Sequence, residues 1–223
     1  MNVTEHEHEA VPGLPEPLPP GERLLWQGAP DARVLAFEAL HLRKFALYFA
    51  VLLAWRGLDA LQAGAGLVGA LWSAAGVLPL ALLALALLAG FAWLVQRTTV
   101  YTVTDRRVVM RIGVVLSVTF NLPYSKIESA SLRLGSDGHG DIALALAAGR
   151  DRIAWLHLWP HARAWQLRQP QPLLRALPDA RAVAQTIADA LAASAAQASA
   201  TVPAAAETAP GELGLPTARP LAA

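Results

Sequence analysis

Histidines, carboxylates and arginines are the side chains of this chain that could do chemistry, and they gather in a few places. Glu5-His6-Glu7-His8-Glu9 sets carboxylates and imidazoles side by side, donor types that bind divalent metals. Pro12, Pro15, Pro17, Pro19 and Pro20 keep the chain that follows from forming a regular helix, so nothing holds those donors in place. A solvated tail is the plainer reading. Gly135-x-x-Gly138-x-Gly140 is glycine-rich but does not match a phosphate-binding loop that opens a helix. Ser, His and Asp occur without the local motif of a nucleophilic triad. There is no cysteine, which excludes disulfides, thiolate metal ligands and cysteine nucleophiles. The chain is therefore expected not to be an enzyme, with no catalytic residue, no metal site and no cofactor.

The remaining clusters suit binding. Arg56 and Asp59 are three apart and share one face of a helix. Both lie at the end of an apolar run. If that run enters a bilayer at Phe45, Arg56 sits ~16 Å deep, where a charge is expensive and usually serves a function, here the docking of a client helix. If the helix starts earlier, near Ala39, Arg56 reaches the far interface and snorkels, and Trp55 beside it is an interfacial anchor. Trp155, His157 and Trp159 point one way on a strand, with His161, Trp165, Arg163 and Arg168 following. They form either an exposed aromatic-basic patch for a partner or a satisfied edge of a β domain. Arg106, Arg107, Arg111 and Lys126 form a basic set after the last apolar run, candidates to face anionic lipid or simply to fix orientation. Pigment ligation would want a histidine inside the bilayer. Neither apolar run has one in its interior, and His41 sits only at a boundary.

These side chains must be positioned by two kinds of element. Hydrophobic residues make up 55% of the 223, charged residues only 16%, and mean hydropathy is +0.38. A soluble domain carries about 25% charged residues. The deficit is concentrated between residues 45 and 95, which reads as membrane. Phe45 to Gln62 and Leu71 to Val95 are the two runs, with Ala63-Gly64-Ala65-Gly66 at the turn of a helical hairpin and Pro79 as a kink site. Residues 31–44 can lie on the membrane surface as a helix with Val34, Phe37, Leu40 and His41 on one face. Small residues at four-residue spacing, Ala65/Gly69, Gly69/Ser73 and Ala86/Gly90, allow close helix approach. Arg33, Arg43 and Lys44 precede the first span and Arg97, Arg106, Arg107 and Arg111 follow the second. Only Arg56 is near the turn, so both ends are predicted cytoplasmic. Residues 1–20 have no basic segment followed by an apolar run and are not a signal peptide.

From Thr98 the period changes to two. Tyr101 and Val103 mark one strand, Val108, Met110 and Ile112 a second, with a turn at Asp105-Arg106. Val114 to Leu122 alternates as a third. Lys126–Leu134, Ile142–Ala147 and Arg152–Trp159 complete six short strands of an antiparallel sheet or barrel, the last two joined at Gly149-Arg150-Asp151. Four prolines make 160–178 a loop. Asp179 can cap a final helix to about Gln197 with Val183, Ile187 and Leu191 as its apolar stripe. The division expected is a flexible arm (1–30), a membrane hairpin (31–97), a β domain with one C-terminal helix (98–197) and a disordered Ala/Pro-rich tail (198–223). A net charge of +1 argues against a nucleic-acid partner.

Strands and one helix after a membrane hairpin, with Tyr101 to Gly113 and then Asn121-Leu-Pro-Tyr-Ser-Lys-Ile127, resemble bacterial pleckstrin-homology-like membrane proteins. Three further segments narrow the resemblance. They are Pro12 to Pro15 with Leu25-Trp-Gln-Gly-Ala-Pro30, Arg43 to Phe49, and Leu156-His-Leu-Trp-Pro-His-Ala-Arg163. With them, residues 11–197 resemble the PuhB family of photosynthetic-complex assembly proteins of purple bacteria. The resemblance implies a PH-like fold in the inner membrane. It also implies binding to photosynthetic reaction-centre subunits during assembly, without catalysis. Partners would be those subunits and the lipid bilayer, and the layout is compatible with a homodimer. A general membrane-surface module binding anionic lipid is the alternative.

Overall fold

The computed structural model describes residues 13–14, 16–114, 116–135, 137–147, 158–163 and 170–201. Seven strands form two antiparallel sheets among these residues. The first sheet runs in the order β1 (Leu24–Gly28), β2 (Val100–Thr104), β3 (Arg107–Ile112) and β4 (Val118–Pro123). The second runs β5 (Ile127–Leu134), β6 (Gly140–Leu146), β7 (Leu173–Leu177). Tyr101, Met110, Ile112 and Leu122 from the first sheet meet Ile142, Leu144 and Leu174 from the second in one core. The last helix, which we number α5 (Ala180–Thr201), closes that core with Ala180, Val183, Ile187 and Ala190. The stripe is the one the spacing predicts. The Asp179 carbonyl accepts from the amides of Ala182 and Val183, with Asp179 itself in the left-handed region (φ 51°).

The first strand changes the expected domain plan. Residues 1–30 read as a flexible arm, yet Leu24–Gly28 pairs with β2 in register from Leu24↔Thr104 to Gly28↔Tyr101. Gly13, Leu14 and Glu22 are docked as well. Leu14 is buried, and a Cβ on Gly13 (φ 86°) would lie 2.5 Å from Val100 Cγ1. The Glu22 carboxylate accepts from Arg107 Nε and Nη2 at 2.8 and 3.0 Å. The chain therefore leaves the sheet at β1, runs through all its long apolar helices, and returns beside its starting point as β2.

Between those strands lie the apolar helices. Asp31 caps α1 (Ala32–Val34), its carboxylate accepting from the Val34 amide at 2.9 Å. A π-helical turn follows over Leu35–Ala39, and the chain breaks at His41 (φ 55°). The surface helix expected over 31–44 is thus a short, interrupted segment. Leu35 and Ala36 are buried against Ala92, Val95 and Ala176, so its apolar face is covered by protein. Helices α2 (Leu42–Gln62) and then α3 (Gly66–Ala75) with α4 (Leu78–Thr98) are long and apolar enough to cross a membrane. A short break at Gly76-Val77 separates α3 from α4, and Pro79 sits in the first turn of α4, where its missing N–H leaves no helical bond unmade. Helix α2 packs on α3 at Gly57, where a Cβ would stand 3.8 Å from Ala70 O and from Ala74 Cβ. Leu47, Trp55, Leu67, Leu71, Trp72 and Leu87 all point outward and stay more than half exposed.

Other differences follow from tertiary pairing. Val114, Leu116 and Ser117 lie outside any strand, and the strand is Val118–Pro123. Leu173–Leu177 is a strand inside the segment expected to be loop. Most of the strand expected over Arg152–Trp159 lies outside the described residues, and its end at Leu158–Pro160 is a turn.

Candidate functional site

The place where the apolar helices meet the sheets holds the most specific polar chemistry among the described residues. Helix α4 runs directly into β2, so Thr99 and Tyr101 sit side by side at the junction. The turn at Leu158–His161 folds onto them. His161 is only 1% exposed. Its Nδ1 stands 2.6 Å from Tyr101 Oη, and its Nε2 3.3 Å from Thr99 Oγ1. The Arg175 amide donates to the same Tyr101 oxygen at 3.2 Å. These contacts assign the protons. Burial pushes the Tyr101 phenol up, so it keeps its proton and donates to Nδ1. Burial, with help from the Arg175 charge, pushes the His161 imidazole down to about 3. The ring is neutral, with its hydrogen on Nε2 facing Thr99. The network is satisfied and enclosed, which fits a strut better than a reactive centre.

Trp159 adds an apolar link at the same place. Its indole stacks on Phe91 of α4 at 5.5 Å between centroids and 26° between planes, and the residue is about half exposed. Phe91, Val95, Ile112, Val118, Trp159 and His161 line a cavity of about 320 Å³ there.

The expected aromatic-basic patch is therefore divided. Trp159 is at the surface of the junction, His161 faces inward, and Trp155 and His157 lie outside the described residues. A side-chain period of two could not reveal this, because the chain turns at Leu158–Pro160 and leaves the strand parity.

The basic set is divided too. Arg111 pairs with Val100, next to the end of α4, whereas Arg107 pairs with Pro123 at the other end of β3. Four residue steps along the strand separate them by ~13 Å. Arg106 belongs to the β2–β3 turn, and Lys126 follows β4 on the Arg107 side. Arg107 is occupied by Glu22. The four do not form one surface.

Arg56 and Asp59 are brought together on α2, Nη1 to Oδ2 at 3.9 Å, with side chains about half and 63% exposed. From Leu42, Arg56 lies ~21 Å along the helix, between the two depths the sequence allows. Trp55 is 64% exposed beside them.

A further group was missed by sequence reading. Arg133 pairs with Asp141 across β5 and β6, and Arg175 lies in the bulge of β7 opposite Asp141. Asp141 Oδ1 accepts from the Ala176 amide at 2.9 Å, at a position where Ala176 takes φ 52°. Arg133 lies in an alternating segment, but Arg175 joins it only through β7, in a segment that reads as loop. No group of three metal-binding side chains occurs among the described residues.

Comparison with known proteins places this architecture. Residues 40–191 match the bacterial PH domain family. The chain belongs to that family. It is also 38% identical over 191 residues to a Rhodobacter capsulatus protein described as an uncharacterised 23.7 kDa protein in the puhA 5′ region, covering 85% of this chain and 89% of the relative. No solved structure matches. The family match begins just after the π turn and so omits β1, the strand that pairs with β2 across the inserted helices.

Proposed function

We propose that this protein is a membrane-anchored assembly factor for the photosynthetic reaction centre, of the PuhB type, that acts by binding and carries out no catalysis. The observation that carries the reading is the 38% identity over most of the chain to the protein of the puhA 5′ region. It accords with the resemblance of the N-terminal, helix-entry and Leu156–Arg163 segments to photosynthetic-complex assembly proteins.

The inserted hairpin supports the membrane part. Antiparallel neighbours β1 and β2 belong to one sheet, so whatever lies between them must start and finish on the same side. Two crossings, by α2 and by α3–α4, meet that condition, and one crossing would not. The basic residues at the helix entries favour an orientation with the sheets and both termini in the cytoplasm. A client helix would meet α2, where the Arg56–Asp59 pair stays exposed. In hydrocarbon an outward ion pair gains from any polar group the client offers. Trp159, at the joint between helices and sheets, would sense or support the same docking. The protein would hold an incomplete complex until permanent subunits displace it.

The alternative, a general anionic-lipid module built on Arg106, Arg107, Arg111 and Lys126, has less support. Those residues point to two ends of the sheet, and Arg107 is held by Glu22. Deletion of the gene tests the choice, with reaction-centre and light-harvesting absorbance followed as oxygen is lowered. Selective, delayed appearance of the reaction centre, restored by the wild-type gene and poorly by Arg56→Ala or Trp159→Ala, is expected. Unchanged spectra and normal phototrophic growth would refute the assembly role.

A further inference from the structure

The outer face of the second sheet carries more positive charge than its own carboxylates can use. Arg133 on β5, Arg175 on β7 and Arg163 beyond the Leu158 turn converge on one cavity of about 360 Å³, completed by Ser131, Asp141 and Leu173. Three guanidiniums face a single carboxylate there. That carboxylate already accepts from the Ala176 amide. Arg163 gives one Nη1 hydrogen to Gln171 Oε1 at 3.0 Å and is exposed. Arg175 donates Nη2 to the Ala162 carbonyl at 3.2 Å, and its buried Nε has no partner among the described residues. Neither Arg133 nor Arg175 makes an ion pair within 4 Å among the described residues.

A buried guanidinium hydrogen left without an acceptor is costly, and like charges around one cavity repel. Burial and the neighbouring Arg133 both push the Arg175 guanidinium down, against Asp141 and Tyr101. An anion with several oxygens would relieve all of this at once. The position narrows its source. A second cleft, of about 170 Å³, shares Arg133, Asp141 and Arg175 and extends to Glu38 and His41, the residue before α2 begins. The arginine cavity thus adjoins the level at which the chain enters its apolar helices.

We propose that Arg133, Arg163 and Arg175 form a binding site for a phosphate group, carried by an anionic phospholipid headgroup or by a small soluble phosphate. Planar guanidinium forks suit phosphate oxygens better than ammonium groups would. Ser131 can add a hydroxyl donor, and Asp141 holds the β6–β7 bulge in place while disfavouring a second carboxylate. The site is independent of the identity of any protein client.

The test uses the full chain in neutral detergent, titrated with inorganic phosphate by calorimetry. In parallel it is reconstituted into phosphatidylcholine bilayers containing some phosphatidylglycerol, re-extracted, and its retained lipids are measured by native mass spectrometry. Variants Arg133→Gln and Arg163→Gln alter exposed side chains and leave the buried bonds of Arg175 intact. Arg23→Gln, at an exposed arginine outside both the cavity and the basic set, is the charge-matched control. Retention of phosphatidylglycerol over phosphatidylcholine that falls about tenfold in either variant, and not in the control, is the expected result for a lipid source. Saturable inorganic phosphate binding that weakens about as much, without lipid selectivity, upholds the site and assigns a soluble phosphate. Absence of saturable phosphate binding together with absence of lipid selectivity overturns the proposal. So does binding that the two variants leave unchanged, or that Arg23→Gln weakens equally.

Discussion

Replacing His161 with Asn should flatten the pH dependence of stability between pH 6.5 and 5. In the folded protein the ring is enclosed and neutral, its imidazole held down to about 3 by burial and Arg175. In the unfolded chain it titrates near 6.5. The folded pKa is the lower one, so the unfolded state binds the extra proton. The contribution to stability is therefore whole above pH ~6.5 and is lost as pH falls toward ~3. The slope in that window is about 1.4 kcal/mol per pH unit, or ~2 kcal/mol between pH 6.5 and 5. Above pH 5 most carboxylates stay ionised in both states, so the window belongs largely to histidine. Asn keeps an oxygen able to accept from Tyr101 and cannot titrate. At pH 8 the variant should lose roughly 1–2 kcal/mol for imperfect packing. The assay is urea unfolding of the full chain in neutral detergent, followed by tryptophan fluorescence, at half-unit steps from pH 8 to 5. A wild-type curve as flat as that of His161→Asn, or two curves of equal slope, would refute the assignment of a buried neutral His161.

Glu22→Ala leaves Arg107 with no carboxylate to hold and should cost roughly 2–3 kcal/mol in the same unfolding assay; a change within 0.5 kcal/mol would mean the N-terminal segment is not docked. Gly13→Ala places a Cβ against Val100 at a positive φ, so its unfolding midpoint should fall, while Gly21→Ala, also at positive φ but with its nearest contact at the end of Arg106, should fall less. Gly57→Leu should force α2 away from Ala70 and Ala74 and lower the thermal midpoint in detergent, whereas Gly57→Ala should be close to neutral. The chain has no cysteine, so single cysteines can report topology directly. Cysteine at Gly64 should react with an impermeant maleimide from outside the cell, and cysteine at Arg23 or Arg163 only in inverted vesicles.

What the sequence displayed well were the features set by local pattern. The β2–β3 hairpin turns at Asp105-Arg106 because the alternation breaks there, and α4 is a continuous apolar helix whose composition allows little else. The stripe Val183, Ile187, Leu191 likewise gave the closing helix. What it hid depends on partners far along the chain. Leu24–Gly28 has no clean alternation and sits among prolines and glycines, and it becomes a strand only because β2 offers an edge after the helical insertion. Leu173–Leu177 lies between Pro172 and Pro178 and carries a helix-like composition, and its register is fixed by β6 and the Asp141 carboxylate. The inward turn of His161 is decided by the change of direction at Leu158–Pro160. The Arg133, Arg163 and Arg175 cluster draws on two strands and a turn that no local spacing connects.

The binding role rests on contact between α2 and a client inside the membrane. A photo-crosslinking residue in place of Leu58, exposed beside the Arg56–Asp59 pair, reports that contact in growing cells. During the shift to low oxygen the account expects an adduct with a reaction-centre polypeptide that fades as assembly completes and is weakened by Arg56→Ala. Adducts with lipid alone, from a folded and correctly inserted protein throughout the time course, would contradict it.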